Sequence, residues 1–419
     1  MRPLALAAAL LLPACRGSGT SEVRADPVDA AKVVDAPVTP PPSGSLDRFV
    51  LVAGQVVDLE KQTKTHELTK APRTEAWKGT RGYVVGKDDV LRAYDLITGV
   101  NAWSATPPHP CYHLVAGERY AYCVHDSQIT AYAAKDGAAT PLPGTTKIGT
   151  AQLVETKDRT LVFTYADVRR YDASLSPLAT TPVKFATLYP EPYATKLGPC
   201  LAHHRTPGGL DVACFTPTGD LRFQEVFPTA KPGDPTTWFQ VSRHGSFVLA
   251  TSVWGATKRT VLVDVPTKGG PPFEVARLEE STLASVVRAD GSLEGLLTSR
   301  GKTIALVDAK GVARWTTPYS GHGETGRAAL VGNTVVLAVY HTAASGCQLF
   351  GHDLATGKLL WTGDVLQLPI AHSAYSNDVD LEVRGDLVRL SGHEAGVRYE
   401  QLFEAATGKR VFAEAKMRW

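Results

Sequence analysis

The densest group of potentially reactive side chains is the segment His109-Pro110-Cys111-Tyr112-His113. Its three potential metal ligands, His109, Cys111 and His113, stand at alternate positions, which places them on one face of an extended strand. A zinc site normally needs four ligands, and Cys111 also has a disulfide candidate in Cys123. The sequence therefore predicts no metal site in this segment.

Other polar clusters lack the partners that a metal site or a catalytic centre needs. His203 and His204 point to opposite faces if they lie in a strand, which argues against joint ligation. The run Asn377-Asp378-Val379-Asp380 lacks the glycine and the distal glutamate of a calcium loop. The sequence contains no G-x-S-x-G elbow, no H-E-x-x-H pair and no P-loop. We therefore expect no catalytic residue, no metal and no cofactor, and a protein that is not an enzyme.

The cysteines are spaced for disulfides across hairpins. Cys111 and Cys123 flank one glycine-containing turn, and Cys200 and Cys214 flank another. Opposed residues of an antiparallel pair have Cα atoms about 4.5–5.5 Å apart, which a disulfide can span. Both pairs predict disulfides and an oxidising compartment, with free buried thiols as the alternative. Cys347 is left over and is predicted to be a half-buried thiol rather than a nucleophile.

The N-terminus has the features of a signal peptide. Arg2 precedes a short apolar stretch from Leu4 to Leu12, which is too short to span a bilayer. The following residues complete the tetrapeptide Leu12-Pro13-Ala14-Cys15, which resembles the bacterial lipobox. The resemblance implies cleavage after residues 1–14 and lipid attachment at Cys15. The residue after Cys15 is Arg16 and not aspartate. By analogy with lipoprotein sorting in Gram-negative bacteria, this implies location in the outer membrane. An ordinary signal peptide with a chance cysteine is the alternative.

Residues 15–45 are predicted to be a disordered tether, and residues 46–419 the folded domain. The tether is rich in Ala, Pro, Ser, Thr and Asp and contains no aromatic residue. Such a segment cannot bury enough apolar surface to offset the entropy of ordering it. The chain has 44 Lys and Arg residues, 42 Asp and Glu residues and a formal net charge of +2, without long basic runs. This charge distribution predicts no nucleic-acid partner.

After residue 49, short β-rich runs alternate with turn signals, which is typical of an all-β fold. One turn motif recurs, in which an Asp caps the turn, a Thr precedes a Gly with positive φ, and an aromatic residue follows. The repeated positions are Asp95, Thr98, Gly99, Trp103, Asp308, Gly311, Trp315, Asp353, Thr356, Gly357, Trp361, Gly408 and Phe412. A unit of this size cannot bury both faces alone, so its copies must stack.

These residues resemble the tryptophan-docking motif A-x-D-x-x-T-G-x-x-x-W of PQQ-like propeller repeats. The resemblance implies one β-propeller of four-stranded antiparallel blades over residues 46–419. The outermost strands are predicted near Trp103, Pro141, Leu178, Phe227, Leu278, Trp315, Trp361 and Phe412. This spacing predicts eight blades, with seven blades or an incomplete ninth as alternatives. A leading hairpin, Phe49 to Leu68, is predicted to complete the ring with the C-terminal strand.

Three functions compete at this level. The lipobox, the tether and the propeller together resemble the BamB family of outer-membrane assembly lipoproteins, which implies a lipid-anchored scaffold that binds an envelope protein. The second function is a surface propeller that binds a small molecule, a peptide or a glycan. Its candidate contacts are Tyr189, Tyr193, Trp238, Trp254 and Tyr375. The third, a PQQ-dependent dehydrogenase, is disfavoured because the sequence lacks the adjacent cysteine pair that holds the cofactor in those enzymes.

Overall fold

The computed structural model describes residues 48–417, except residues 53, 71, 126–127, 146–150, 165, 184–191, 196–197, 206–208, 230–238, 245, 253–258, 267–269, 289–290, 322–324, 341–346, 366–377 and 395–396. The predicted signal peptide, the lipid attachment at Cys15 and the predicted tether lie outside these residues. The described residues form 35 β-strands in nine antiparallel sheets. This part of the chain contains no helix that is long and apolar enough to cross a membrane.

Each sheet is one blade, and the blades follow one another in chain order. Blades 1 to 3 comprise β1 (Phe49–Val52), β2 (Gln55–Asp58), β3 (Thr63–Glu67); β4 (Thr74–Lys78), β5 (Arg81–Val85), β6 (Leu91–Asp95), β7 (Asn101–Ala105); β8 (His113–Ala116), β9 (Tyr120–His125), β10 (Gln128–Ala133) and β11 (Ala139–Pro141). Blades 4 to 6 comprise β12 (Gln152–Glu155), β13 (Arg159–Phe163), β14 (Asp167–Asp172), β15 (Pro177–Pro182); β16 (Pro192–Thr195), β17 (Gly198–Arg205), β18 (Gly209–Phe215), β19 (Leu221–Pro228); β20 (Phe239–His244), β21 (Phe247–Ser252), β22 (Thr260–Asp264) and β23 (Phe273–Leu278). Blades 7 to 9 comprise β24 (Thr282–Val287), β25 (Leu293–Arg300), β26 (Thr303–Val307), β27 (Ala313–Pro318); β28 (Thr325–Val331), β29 (Thr334–Tyr340), β30 (Cys347–Asp353), β31 (Leu359–Gly363); β32 (Asp378–Arg384), β33 (Leu387–Glu394), β34 (Val397–Glu404) and β35 (Arg410–Met417).

The prediction of eight blades is wrong, as is the alternative of seven, because the described residues form nine. An incomplete ninth blade was the remaining alternative, and blade 1 has three described strands. All eight predicted outer strands are present, as β7, β11, β15, β19, β23, β27, β31 and β35. The leading segment adds the ninth sheet, since β1, β2 and β3 form a sheet of their own among the strands that the structure describes. The leading hairpin and the C-terminal strand do not share a sheet as predicted, because in the described part of the chain β35 belongs to the sheet of β32, β33 and β34.

Blade 1 follows a weakened copy of the turn motif. Asp58 ends β2, Gln62 comes four residues later with φ 53°, and His66 comes four residues after that in β3. Gln62 thus takes the positive-φ position that glycine holds elsewhere, and His66 takes the position of the aromatic residue. By this alignment β1–β3 match the three outer strands of the other blades. Among the described residues, the strand that blade 1 lacks is the innermost one.

Three tryptophans join consecutive blades by the same contact. Each indole Nε1 donates a hydrogen bond to a turn carbonyl of the next blade, from Trp103 to Ala134 at 3.0 Å, from Trp315 to Leu354 at 2.8 Å and from Trp361 to Ala405 at 3.0 Å. Each ring also covers the glycine of that turn, where an added Cβ would come closer to the ring than 3.0 Å, at Gly137, Gly357 and Gly408. The three tryptophans therefore occupy equivalent environments.

Two other junctions use a different side chain over the same glycine position. The Nε2 of His66 lies 2.9 Å from the carbonyl oxygen of Ile97, to which it donates, and its ring covers Gly99. The side chain of Leu278 at the end of β23 packs against Gly311 of blade 7, with 3.2 Å to a Cβ built there. His66 therefore makes both the hydrogen bond and the ring contact that the tryptophans make at other junctions, whereas Leu278 makes only the apolar contact.

Two junctions replace the indole with a hydroxyl group. The phenol of Tyr120 in β9 donates to the Ala173 carbonyl of blade 4 at 3.0 Å, and Leu175 occupies the positive-φ position of that turn with φ 68°. The hydroxyl of Thr156, directly after β12, donates to the Pro217 carbonyl of blade 5 at 3.1 Å. In both cases the donor comes from an inner part of the blade rather than from its outermost strand.

The ring closes between the last and first blades by apolar packing. Val57 and Leu59 of blade 1 form one buried cluster with Leu402 of blade 9, and Phe412 of β35 packs against this cluster. Phe412 therefore sits at the junction from blade 9 to blade 1, as its place in the motif indicates. No strand is shared between these two blades in the described part of the chain.

Both predicted disulfides are confirmed. Cys200 and Cys214 are directly opposed in the β17–β18 register, with Cα atoms 4.1 Å apart. Cys111 bonds to Cys123 with a Cα separation of 5.2 Å, but it precedes β8, whose Leu114 is the residue opposite Cys123. Cys347, predicted to be half-buried, is 3% exposed, and its thiol donates to the Gln348 carbonyl at 3.8 Å.

Candidate interaction surface

The residues of the repeated motif build turns and blade junctions. The carboxylate of Asp95 accepts hydrogen bonds from the backbone N–H groups of Ile97 and Thr98 at 3.0 and 2.9 Å. Asp353 accepts the Thr356 hydroxyl at 2.6 Å and its backbone N–H at 2.8 Å, and these bonds lower the pKa of Asp353. Both carboxylates therefore accept hydrogen bonds within their own turns, as the motif predicts.

The pKa of Asp308 is lowered in the same manner. Its main cause is the hydrogen bond that the carboxylate accepts from the Val312 backbone N–H at 2.9 Å, and the Lys310 N–H adds a second at 2.8 Å. Gly311 between them supplies the positive φ of the turn, at 81°. This copy of the turn is one residue shorter than the copy at Asp353, and both copies fix the carboxylate by backbone contacts.

The side chains around Cys111 do not share one face as predicted. The imidazoles of His109 and His125 stack with ring centroids 5.1 Å apart, and Tyr112 packs against His125 at 4.7 Å. His113 is opposite Val124 in the β8–β9 register, so its side chain points to the other face. Within the described residues, no group of three or more His, Cys, Asp or Glu side chains is arranged to hold a metal ion.

Several predicted contact residues fall where the structure gives no side chain. The five aromatic residues proposed for ligand binding lie outside the described side chains, as do His203 and His204. A candidate surface within the described residues must therefore be sought among other side chains.

The outer strands of blades 4 to 6 carry exposed apolar side chains on three consecutive blades. We call the surface of β15, β19 and β23 the rim surface. Leu178 in β15 is 48% exposed, and Phe273 in β23 is 50% exposed. Leu221 and Val226 in β19 are 39% and 40% exposed. A contiguous exposed apolar patch marks an interaction site, whereas apolar side chains exposed singly are normal. Exposed apolar side chains also occur on β31 of blade 8, at Leu359 and Leu360.

Polar contacts connect the three blades of the rim surface. The guanidinium of Arg170 in blade 4 pairs with the carboxylate of Asp220 in blade 5. Hydrogen bonds from the Thr218 hydroxyl and then from Arg170 lower the pKa of Asp220. Arg277 of blade 6 donates to the Pro228 carbonyl at the end of β19. These contacts join blade 4 to blade 5 and blade 5 to blade 6, and they place arginine side chains next to the outer strands β19 and β23.

A recess of about 410 Å³ lies at the blade 4 end of the rim surface. Leu178 and Arg169 form part of its wall, and the Nε of Arg169 lies 3.1 Å from the Asp167 carboxylate. The phenol of Tyr171 donates to the Pro143 carbonyl at 2.7 Å, and burial raises the pKa of that phenol. The recess is thus lined by apolar side chains, by two guanidinium groups, those of Arg169 and Arg170, and by the Asp167 carboxylate.

Comparisons with known proteins bear on the fold. No protein-family model matches the chain, and no curated protein matches its sequence. A eukaryotic initiation factor has a similar structure, with a TM-score of 0.55 and 11% identity over 87% of this chain and 93% of that one. The chain has a β-propeller fold. At this identity the similarity concerns the fold alone.

Two further solved structures are less similar. BamB from Moraxella catarrhalis matches with a TM-score of 0.41 and 12% identity, covering 82% of this chain and 89% of that one. The computationally designed Ika8 protein matches with a TM-score of 0.43 and 12% identity, covering 83% of this chain and 96% of that one. The functional argument for this propeller therefore depends on its own residues.

Proposed function

We propose that the protein is a lipid-anchored, non-catalytic β-propeller that binds a protein partner of the bacterial cell envelope through its rim surface. The observation that carries this proposal is the exposure of Leu178, Leu221, Val226 and Phe273 on three consecutive outer strands. An apolar patch with arginine around it has the composition of a protein–protein interface. The outer strands also present one unpaired backbone edge each, to which a partner strand can add.

The N-terminal sequence and the disulfides support the envelope location in this proposal. Lipid attachment at Cys15 would hold the propeller at a membrane without a spanning helix, because two or three acyl chains anchor a protein stably. The Cys111–Cys123 and Cys200–Cys214 bonds agree with an oxidising compartment outside the cytoplasm. The outer membrane is the proposed site, in line with Arg16 after the lipidated cysteine.

The experiment compares an aspartate on the rim surface with an aspartate elsewhere on the outer edge. Phe273→Asp places a charge on the rim surface, and Val312→Asp places one at an apolar residue of blade 7 that is 62% exposed. Tagged full-length chains are purified from detergent-solubilised membranes, and the co-purifying complex is quantified. We expect the complex to be lost with Phe273→Asp and kept with Val312→Asp. Equal recovery from both variants would refute the rim surface as the binding site.

The membrane anchor is tested separately with Cys15→Ala. The proposal predicts that this variant moves from the membrane fraction to the soluble fraction while its propeller still recovers the partner. A variant that stays in the membrane would contradict lipid anchoring at Cys15 and leave the rim surface to be judged by Phe273→Asp.

The recess on blade 4 favours a second candidate function, binding of a small ligand. Its volume of about 410 Å³ lies within the roughly 300–1,000 Å³ that is typical of ligand sites. Under this alternative no protein complex co-purifies, and Arg169→Ala removes a retained ligand that Val312→Asp leaves bound. Native mass spectrometry of the purified chain distinguishes the two outcomes.

A further inference from the structure

Two histidines that are 16 residues apart in sequence are brought into contact beside a disulfide. The rings of His109 and His125 stack with centroids 5.1 Å apart and planes inclined by 19°. Tyr112 packs against His125 with an interplanar angle of 35°. His109 and Tyr112 are exposed and His125 is half-buried, so an ion in solution can reach this pair of imidazoles.

The disulfide holds the two histidines close before any ligand arrives. His109 precedes Cys111 by two residues, and His125 follows Cys123 by two residues. The Cys111–Cys123 bond fixes the two Cα atoms 5.2 Å apart and thereby restrains both flanking segments. A site whose ligands are already held near each other loses less entropy on binding, and its affinity rises accordingly.

The chemistry of the donors selects the kind of ion. Neutral imidazole suits Zn²⁺, Cu²⁺ and Ni²⁺, and Cu²⁺ binds most tightly in the general order of divalent metals. Cu²⁺ accepts tetragonal nitrogen and oxygen coordination, which two imidazoles and water can provide. Zn²⁺ favours three or four protein ligands. Cys111 and Cys123 offer no thiolate because they are joined to each other.

We propose that His109 and His125 form a surface binding site for a divalent transition-metal ion, with Cu²⁺ preferred over Ni²⁺ and Zn²⁺. Both side chains turn about their χ angles from the stacked arrangement so that one nitrogen of each ring faces the same ion. Water completes the coordination. His113 is not a ligand, because it lies opposite Val124 on the other face of the β8–β9 pair.

The experiment measures Cu²⁺ binding to the full-length, disulfide-bonded chain and to three single variants. His109→Ala and His125→Ala each remove one ligand, and His113→Ala is the matched control in the same segment. The chain contains 12 histidines, so the readout is the difference in bound equivalents between variants, measured by calorimetry. We expect the wild type and His113→Ala to bind one more equivalent than either ligand variant, or to bind it at least tenfold more tightly.

Two further readouts separate metal ligation from a change in folding. Electron paramagnetic resonance of the first Cu²⁺ equivalent is expected to show coupling to two imidazole nitrogens in His113→Ala and in the wild type, and not in the ligand variants. Near-ultraviolet circular dichroism and a thiol count without metal are expected to match in all four proteins. The proposal is overturned if the ligand variants bind as many equivalents as the wild type with the same affinity, or if His113→Ala loses binding to the same extent.

Discussion

The glycine under a docking tryptophan can be tested against a glycine that has the same backbone conformation and no neighbour. Gly357 has φ 72° and lies beneath Trp315, whereas Gly332 of the same blade has φ 57° and an added Cβ there meets nothing within 4 Å. Substitution by alanine places a methyl group in the left-handed region at both positions. Only Gly357→Ala also drives that methyl group into the indole ring.

The difference between the two variants measures the docking contact. The left-handed backbone costs alanine about 1–2 kcal/mol at either position. At Gly357 the ring of Trp315, which is 7% exposed, must also move, and forced repacking of a filled core costs about 1–3 kcal/mol. Loss of the 2.8 Å hydrogen bond to Leu354 adds about 1 kcal/mol. We therefore expect Gly357→Ala to be about 2–4 kcal/mol less stable than Gly332→Ala.

The assay is urea unfolding of the two variants and the wild type, followed by tryptophan fluorescence and by circular dichroism. We expect the unfolding midpoint of Gly332→Ala to lie slightly below that of the wild type, and the midpoint of Gly357→Ala to lie well below both. If the two alanine variants unfold at the same urea concentration, the indole does not require a bare glycine, and the docking interpretation of the motif fails.

Acid and disulfide removal are also expected to weaken the ring. Burial lowers the pKa of His352, which is 2% exposed, so the folded chain binds fewer protons than the unfolded chain, whose histidines titrate near 6.5. Stability should fall as the pH drops below about 6.5. His352→Phe introduces the residue that stands at the equivalent position of blade 9, Phe403. The urea midpoint of this variant should change less between about pH 7.5 and pH 5.5 than that of the wild type. An equal change in both proteins would contradict this account. Replacing both Cys200 and Cys214 by serine opens a loop with a sequence separation of 14 and should cost about 3 kcal/mol; a midpoint equal to that of the wild type would refute this.

The outer strands were predictable from sequence because their signal is local. A turn aspartate, a positive-φ glycine and an aromatic residue at fixed offsets mark the end of one strand and the start of the next, as at Asp353, Gly357 and Trp361. That signal depends on a few neighbouring residues and on no contact with the rest of the chain. In blade 4 only the aspartate of the motif remains, as Asp172, because Leu175 holds the positive-φ position and no aromatic residue follows. The outer strand near Leu178 was located there by its spacing from the other copies.

The sequence favoured eight blades and gave a ninth only as an alternative, because the copy of the motif in blade 1 keeps the spacing and changes the residue types. Asp58 is retained, but Gln62 replaces glycine and His66 replaces tryptophan. A glutamine with φ 53° is energetically unfavourable and so is a poor sequence marker for that turn. The contact of His66 with Ile97 and Gly99 shows that imidazole can serve as the docking group. The sequence signal that remains in blade 1 is the four-residue spacing from Asp58 to Gln62 and from Gln62 to His66.

The rim surface had no comparable signal. Whether Leu221 or Phe273 faces solvent depends on the neighbouring blade and on the twist of the outer strand, and neither is encoded in local spacing. The contact between His109 and His125 could not be predicted from local spacing either. It depends on the register of the hairpin and on the Cys111–Cys123 bond. The alternate positions of His109, Cys111 and His113 predicted one shared face. That prediction was wrong, because β8 begins only at His113 and residues 109–112 are not part of a strand.

The way in which the blades are joined bears on where the rim surface lies. In blades 2, 7 and 8 the outermost strand supplies the tryptophan that holds the next blade, so its side chains are committed to the ring. Blade 4 is joined to its neighbours through Tyr120 of β9, Thr156 after β12 and Arg170 of β14, none of which belongs to an outermost strand. Its outer strand β15 has no docking side chain, and five of its six residues are exposed. Because none of the junction contacts named above comes from β15, its side chains can change for a partner with less effect on the ring than those of β23, whose Leu278 packs against Gly311. We therefore expect the blade 4 end of the rim surface to be the part that tolerates substitution best.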